Sequence, residues 1–178
     1  GKSPKLTKLI LKFVSLHKKI SNLHMWWMDL GIKAGLGAAK IASLWNKKIK
    51  QALDGRRNLP EKIATVIHPG DKVIWFHAAS FGEFEEGRPL LEEIHQHYPQ
   101  YKILVTFFSP SGYNAHKNYP HADLVCYLPA DITRDVRSFL DVVHPEIAIF
   151  IKYEFWPNLL YEMKKRLIRT FVVSARFI

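Results

Sequence analysis

The sequence predicts an α/β fold, Rossmann-like, with a parallel sheet covered by helices on both faces and basic amphipathic helices in front of it. Three observations carry this. From Asp71 onward, short apolar runs alternate with segments of helical spacing. That alternation builds parallel sheets, because parallel neighbours need a crossover and the crossover is right-handed. Prolines punctuate the joints at Pro99, Pro110, Pro129 and Pro145. The 178 residues, 48% of them apolar, have room for one ordinary domain with a real core plus an appendage.

The elements follow in chain order. Leu6, Leu9, Ile10, Phe13, Val14 and Ile20 recur at helical spacing among Lys8, Lys12, Lys18 and Lys19, which predicts a basic amphipathic helix. A second helix is expected from about Trp26 to Trp45. Asp29, Lys33 and Lys40 interrupt it and Gly31, Gly35 and Gly37 weaken it, so it falls short of the roughly 18 uninterrupted apolar residues of a membrane span. Strands are expected at Lys72–Ala79, Ile103–Phe108, Leu124–Leu128, Ile147–Tyr153 and Thr170–Ser174, and helices near Glu83–His97, Gly112–Asn118, Thr133–Val143 and Pro157–Arg166. Thr133 is the expected cap of the third of these helices. The organisation read from this is a basic helical segment over 1–68 and a Rossmann-like domain over 69–178. The chain stops just after its fifth strand and is expected to be cut short; Met25 is a candidate original start, with residues 1–24 an extension.

Charge is segregated. Residues 1–70 hold 14 Lys/Arg against 3 Asp/Glu, a net of +11, and residues 71–178 hold 12 against 13, a net of −1. The near-neutral α/β half has no evident basic groove, which argues against a nucleic-acid binder. Two readings of the basic segment stand side by side. In one, Trp26, Trp27 and Trp45 are interfacial anchors, with Lys47, Lys48, Lys50, Arg56 and Arg57 meeting anionic headgroups. In the other, the helix packs on its own domain with a solvated basic face. Cys126 is the sole cysteine, in an apolar run, so no disulfide forms within the chain and no Cys-rich metal site exists. A reducing, cytoplasmic setting fits this.

Open α/β sheets bind ligands beyond the carboxyl ends of their strands, so the candidate residues are those just after each apolar run. Ser80, Gly82 and Glu83 follow the first; Ser109, Ser111 and Gly112 the second; Asp131 the third; Lys152, Glu154 and Trp156 the fourth; Arg176 the fifth. Glu83 is placed for acid–base chemistry, but a carboxylate in a helix's first turn also suits the positive end of the helix dipole. The Ser-x-Gly-Glu turn is not a dinucleotide fingerprint, and no Gly-Lys-Ser/Thr phosphate loop is present. Ser109-Pro110-Ser111-Gly112 can hold a sugar or phosphate oxygen, or serve as plain turn chemistry. His77 reads as a hydrogen-bonded core histidine, His95 and His97 as solvent-facing, and no His pair has metal-ligand spacing.

Taken together, Trp75–Glu83 (Trp-Phe-His-Ala-Ala-Ser-Phe-Gly-Glu), Thr106–Gly112 (Thr-Phe-Phe-Ser-Pro-Ser-Gly), Tyr127-Leu128-Pro129 before Asp131, and Glu154-Phe155-Trp156-Pro157-Asn158-Leu159 before Ala175-Arg176 resemble a known family. It is that of the 3-deoxy-D-manno-octulosonic acid (Kdo) transferases of lipopolysaccharide assembly, and the resemblance runs in order over about residues 27–178. It implies the amino-terminal, acceptor-binding half of a two-domain GT-B glycosyltransferase, working without metal or cofactor and inverting the anomeric centre. The donor CMP-Kdo would be bound mainly by a carboxy-terminal domain that this chain does not match. Further implications are a lipid A precursor as acceptor, a place on the cytoplasmic face of the inner membrane, and Glu83 as the general base. The substrate-binding expectations are Ser80, Gly82, Ser109, Ser111, Gly112, Trp156 and Arg176, with Glu154 in support. One departure stands out. Many members carry Glu-x-Glu before the aromatic-Trp-Pro, and here the first position is Lys152, so that carboxylate's role does not carry over; Lys152 is instead a possible charge stabiliser. The competing expectation is a membrane-tethered Rossmann-like binding or regulatory module in which Glu83 only supports its helix.

Overall fold

The computed structural model describes residues 25–44, 46–152, 154 and 156–173. The expected helix over Leu6–Ile20, the anchor Trp45 and the candidate Arg176 lie outside them. The element order is α1 (25–42), α2 (Lys47–Gly55), α3 (Leu59–Ala64), β1 (Lys72–Ala78), α4 (Phe81–His97), β2 (Tyr101–Phe107), α5 (Pro110–His116), β3 (Leu124–Tyr127), α6 (Thr133–Val143), β4 (Ile147–Ile151), α7 (Pro157–Lys165) and β5 (Arg169–Val173). All five expected strands form, each within two residues of its predicted start. They pair in parallel in the order β3-β2-β1-β4-β5.

Alternation along β1 shows how one apolar run serves two layers. Val73 and Trp75 pack with Leu59, Ile63, Phe139 and Leu159 under α3, α6 and α7. Ile74, Phe76 and Ala78 pack with Phe84, Leu91 and Phe107 under α4 and α5. Because Leu59, Ile63 and Ile67 belong to the first of these cores, packing continues without a break across residue 68. From central β1 the chain moves outward to β2 and β3, then returns and moves the other way through β4 and β5. The reversal places a crevice at the carboxyl ends of β1 and β4, the position where open α/β sheets receive ligands.

The polar link between α1 and this body is the carboxylate of Asp29. Asp29 Oδ1 accepts from Thr133 N–H and Thr133 Oγ1, both at 3.1 Å, and from Asn158 Nδ2 at 2.9 Å. The expected cap therefore needs correcting: Ile132 stands at the cap position of α6 without a side-chain bond, Thr133 is its first helical residue, and the acceptor comes from α1. The outer side of α1 presents Trp26 (56% exposed), Trp27 (59%), Leu30 and Ile41 to solvent. Among the described residues no helix is long and apolar enough to cross a membrane.

Candidate functional site at the β1/β4 crevice

On one wall of the crevice, β1 gives way to Ser80, in an extended conformation, and to α4. Glu83 at the third helical position turns back, and its Oε2 accepts from Ser80 N–H at 3.0 Å, the carboxylate half of a capping box. The reciprocal approach of the Ser80 hydroxyl to the Glu83 N–H is looser and does not reach hydrogen-bond geometry. Among the described residues Glu83 Oε1 accepts no hydrogen bond, and Glu83 forms no ion pair. Gly82 is exposed with open space in front of its Cα, so nothing in the fold itself requires a glycine there.

The other wall follows β4. Lys152 adopts a left-handed conformation (φ 67°) that turns the chain out of the strand, an uncommon state for a residue with a side chain. Its Nζ lies 2.6 Å from Glu86 Oε1, and that bond, followed by the fields of Glu86 and Glu83, raises the ammonium above its ordinary pKa. The Lys152 charge is thus already matched by an acid of α4. Glu154 Oε2 accepts from Trp156 Nε1 at 2.9 Å and lies 3.9 Å from His77 Nε2, outside hydrogen-bond reach. The adjacent imidazole, helped by the indole N–H, holds this carboxyl below the usual carboxylate range against the opposing effect of burial. Trp156 stacks at a tilt over Phe108, with ring centroids 4.9 Å apart.

Several expected site residues have structural work to do. Ser109 caps α5, accepting from Gly112 N–H at 3.4 Å and pairing with Ser111 Oγ at 2.9 Å. A Cβ on Gly112 would sit 2.4 Å from the Phe107 ring, so close helix–strand packing by itself calls for a glycine here. Asp131 is buried and caps α7, accepting from Asn158 N–H at 3.1 Å and Leu159 N–H at 2.9 Å. His77 is the buried, hydrogen-bonded histidine the sequence predicts, and His95 and His97 are exposed. Burial pushes the Cys126 thiol up to about 12.

Arg56 departs from its expected place at the headgroups. It turns inward, donating from Nε to Leu128 O (2.8 Å), from Nη1 to Ala52 O (2.8 Å) and from Nη2 to Phe108 O (2.9 Å), with Phe108 and Tyr127 against its guanidinium. Burial lowers its pKa to about 10. In this way one side chain ties the carboxyl ends of β2 and β3 together. Lys47, Lys48, Lys50 and Arg57 do stay exposed. A cavity of ≈ 520 Å³ opens between α1, α2 and the crevice, walled by Ile32, Leu36, Leu53, Phe108 and Trp156 with Arg56 at one side. Its size is within the range of small-molecule sites, and its lining is almost wholly apolar. Among the described residues no three His, Cys, Asp or Glu side chains cluster to hold a metal ion.

Sequence reasoning missed two contributors, Asp29 and Arg56. Asp29 had a signal, being the only acid in the first fifty residues. Arg56 had none, since its partners are carbonyls on loops 52 and 72 residues away.

Comparison with known proteins identifies the arrangement. The family model described as 3-deoxy-D-manno-octulosonic-acid transferase (kdotransferase) matches residues 51–178. The 3-deoxy-D-manno-octulosonic acid transferase of Haemophilus influenzae is 33% identical over 109 residues, covering 61% of this chain and 26% of the relative. That of Rickettsia bellii is 32% identical over 123 residues (67% and 29%), and that of Chlamydia muridarum 30% over 106 residues (58% and 25%). The match therefore spans about a quarter of the length of these curated relatives. With its five-stranded parallel sheet and its β1/β4 crevice, the chain belongs to the 3-deoxy-D-manno-octulosonic-acid transferase family, of which it represents the amino-terminal portion.

Proposed function

We propose that this chain is the acceptor side of a glycosyltransferase that moves Kdo from CMP-Kdo to a lipid A precursor, with Glu83 as general base. The observation that carries the reading is the position of Glu83. It stands at the carboxyl end of β1 on the crevice made by the reversal of strand order, anchored through Oε2 with Oε1 directed to no protein donor among the described residues. A base so placed takes the proton of an acceptor hydroxyl as that oxygen attacks the anomeric carbon, while the bond to CMP breaks and CMP leaves with its electron pair. Attack opposite the leaving group inverts the centre, and no step in this scheme calls on a metal or cofactor. Family membership supports the donor and acceptor classes. The apolar cavity beside Trp156 supports a lipid acceptor, whose acyl chain it can receive.

The exposed Trp26, Trp27, Leu30 and Ile41, with Lys47, Lys48, Lys50 and Arg57 nearby in sequence, support attachment to an anionic bilayer at the cytoplasmic face of the inner membrane, where such an acceptor lies.

The test is Glu83→Gln in the full-length protein, assayed with CMP-Kdo and a lipid A precursor. Glutamine keeps an oxygen for the Ser80 N–H but cannot take a proton, so turnover drops by about 10²- to 10⁴-fold while the fold holds. Near-normal turnover sinks the assignment. The capping bond itself favours one second reading, a membrane-tethered binding module in which Glu83 only supports α4. On that reading Glu83→Gln leaves every function intact.

A further inference from the structure

Three polar groups inside the sheet are not used by the scheme above, and they form a hydrogen-bonded chain that points at Glu154. Trp75 Nε1, which can only donate, gives its proton to Thr106 Oγ1 at 2.8 Å. Having accepted there, the Thr106 hydroxyl has one proton of its own to place. Phe76 O is 3.5 Å away and His77 Nδ1 only 2.9 Å away. Donation to Nδ1 makes that nitrogen an acceptor and puts the ring proton on Nε2.

His77 is fully buried, and among the described residues its Nε2 has no hydrogen-bond partner. The group it faces is the Glu154 carboxylate, at 3.9 Å. The opposite tautomer would donate from Nδ1 to Thr106 O at 3.1 Å. It would also leave a bare, buried lone pair aimed at an anion. The first tautomer satisfies the Trp75 and Thr106 protons in sequence and points the His77 N–H at the carboxylate, 3.9 Å away.

We propose that Trp75, Thr106 and His77 form a buried relay that directs the His77 Nε2–H at Glu154 and so fixes the Glu154 carboxylate at the β1/β4 crevice. His77 is a positioning residue that touches no substrate. It faces the same carboxylate oxygen, Glu154 Oε2, that accepts from the Trp156 indole at 2.9 Å. The lowered protonation of Glu154, with His77 as its largest cause, is what such an arrangement produces. The catalytic weight of the relay rests on the glycosyl-transfer reading; its existence does not.

Nitrogen-15 NMR of this chain reads the His77 tautomer directly, and carbon-13 NMR follows the titration of the Glu154 carboxyl. The parent shows the Nε2–H form. Thr106→Val removes the hydroxyl, switches His77 to the Nδ1–H form and moves the Glu154 titration to higher pH. Thr106→Ser keeps the hydroxyl and restores both signals. His77→Leu also moves the titration upward. In the full-length enzyme Thr106→Val lowers kcat by about 10- to 100-fold with little change in KM, the mark of a misplaced group rather than lost binding. An Nδ1–H tautomer in the parent, or a Glu154 titration that neither Thr106→Val nor His77→Leu moves, overturns the relay. Unchanged kcat in a Thr106→Val enzyme whose tautomer has switched overturns its positioning role. The spectroscopic readouts need neither donor nor acceptor, so they fail independently of the Glu83 assay.

Discussion

Replacing Asp29 with Ala should release α1 from the rest of the molecule. A single oxygen, Asp29 Oδ1, takes three donors from two helices, Thr133 N–H and Oγ1 of α6 and Asn158 Nδ2 of α7. Each hydrogen bond to a charged acceptor is worth about 1.5–3 kcal/mol when made and well shielded. The three share one atom in a half-buried setting, and the Thr133 hydroxyl can turn to water once freed, so they do not add. Losing the cap of α6 alone costs about 1 kcal/mol, and the Asn158 amide, which keeps the Asp131 carbonyl but loses its second acceptor, costs about as much again. The expected loss is about 2–4 kcal/mol. With a urea dependence of about 2 kcal/mol per molar, that is a fall of about 1–2 M in the unfolding midpoint. If α1 detaches as a unit, the loss shows instead as faster amide exchange over α1 and at the Thr133 amide. Asp29→Asn keeps an acceptor and gives up only the charge at the helix start, a cost of about 1 kcal/mol at most. An Asp29→Ala chain that unfolds within about 0.5 kcal/mol of the parent and keeps its exchange pattern would refute the docking role, since that is the scatter of neutral surface changes.

Two further outcomes follow from packing and exposure. In Gly87→Ala the new Cβ would stand 2.0 Å from Ile151 Cδ1 and 2.7 Å from its Cγ1, so either the Ile151 side chain or α4 itself must shift. A cost of about 1–3 kcal/mol in denaturant unfolding is expected, and an unchanged midpoint would contradict the close approach. Replacing Trp26 and Trp27 together by Ala removes the two most exposed indoles of α1 and should weaken cosedimentation with anionic phospholipid vesicles several-fold at constant stability. Equal binding would move membrane contact away from α1.

The strands were legible because a fully covered parallel strand is a short apolar run, and five such runs stand between turn residues. The start of α4 was legible too, since Ser80 and Glu83 have the spacing of a capping box. Its body reads poorly, because Gly87 and Pro89 both disfavour a helix interior. Burial of Phe84 and Leu91 against the sheet overrides that local preference, and Gly87 is the residue that permits the contact. Motif residues were legible as a set but not by role. Gly112 and Asp131 sit where substrate chemistry is expected, yet one fits a helix against Phe107 and the other caps α7. Bonds that bridge distant segments leave no local pattern, which is why the grip of Asp29 on Thr133, 104 residues away, emerges only in three dimensions.

The two helix starts that flank the crevice bear on which molecules it excludes. α4 and α7 rise from neighbouring strands on opposite faces of the sheet, and each begins with backbone N–H groups of the kind that ordinarily gather phosphate. Here the Asn158 and Leu159 N–H groups of α7 are engaged by Asp131, and at α4 the Ser80 N–H is engaged by Glu83. At the α7 start a free phosphate therefore meets an acid where it would otherwise find open N–H groups. On the glycosyl-transfer reading, an acid in that place would turn free anions away from the α7 side of the crevice, while the second oxygen of Glu83 would be left for an uncharged hydroxyl.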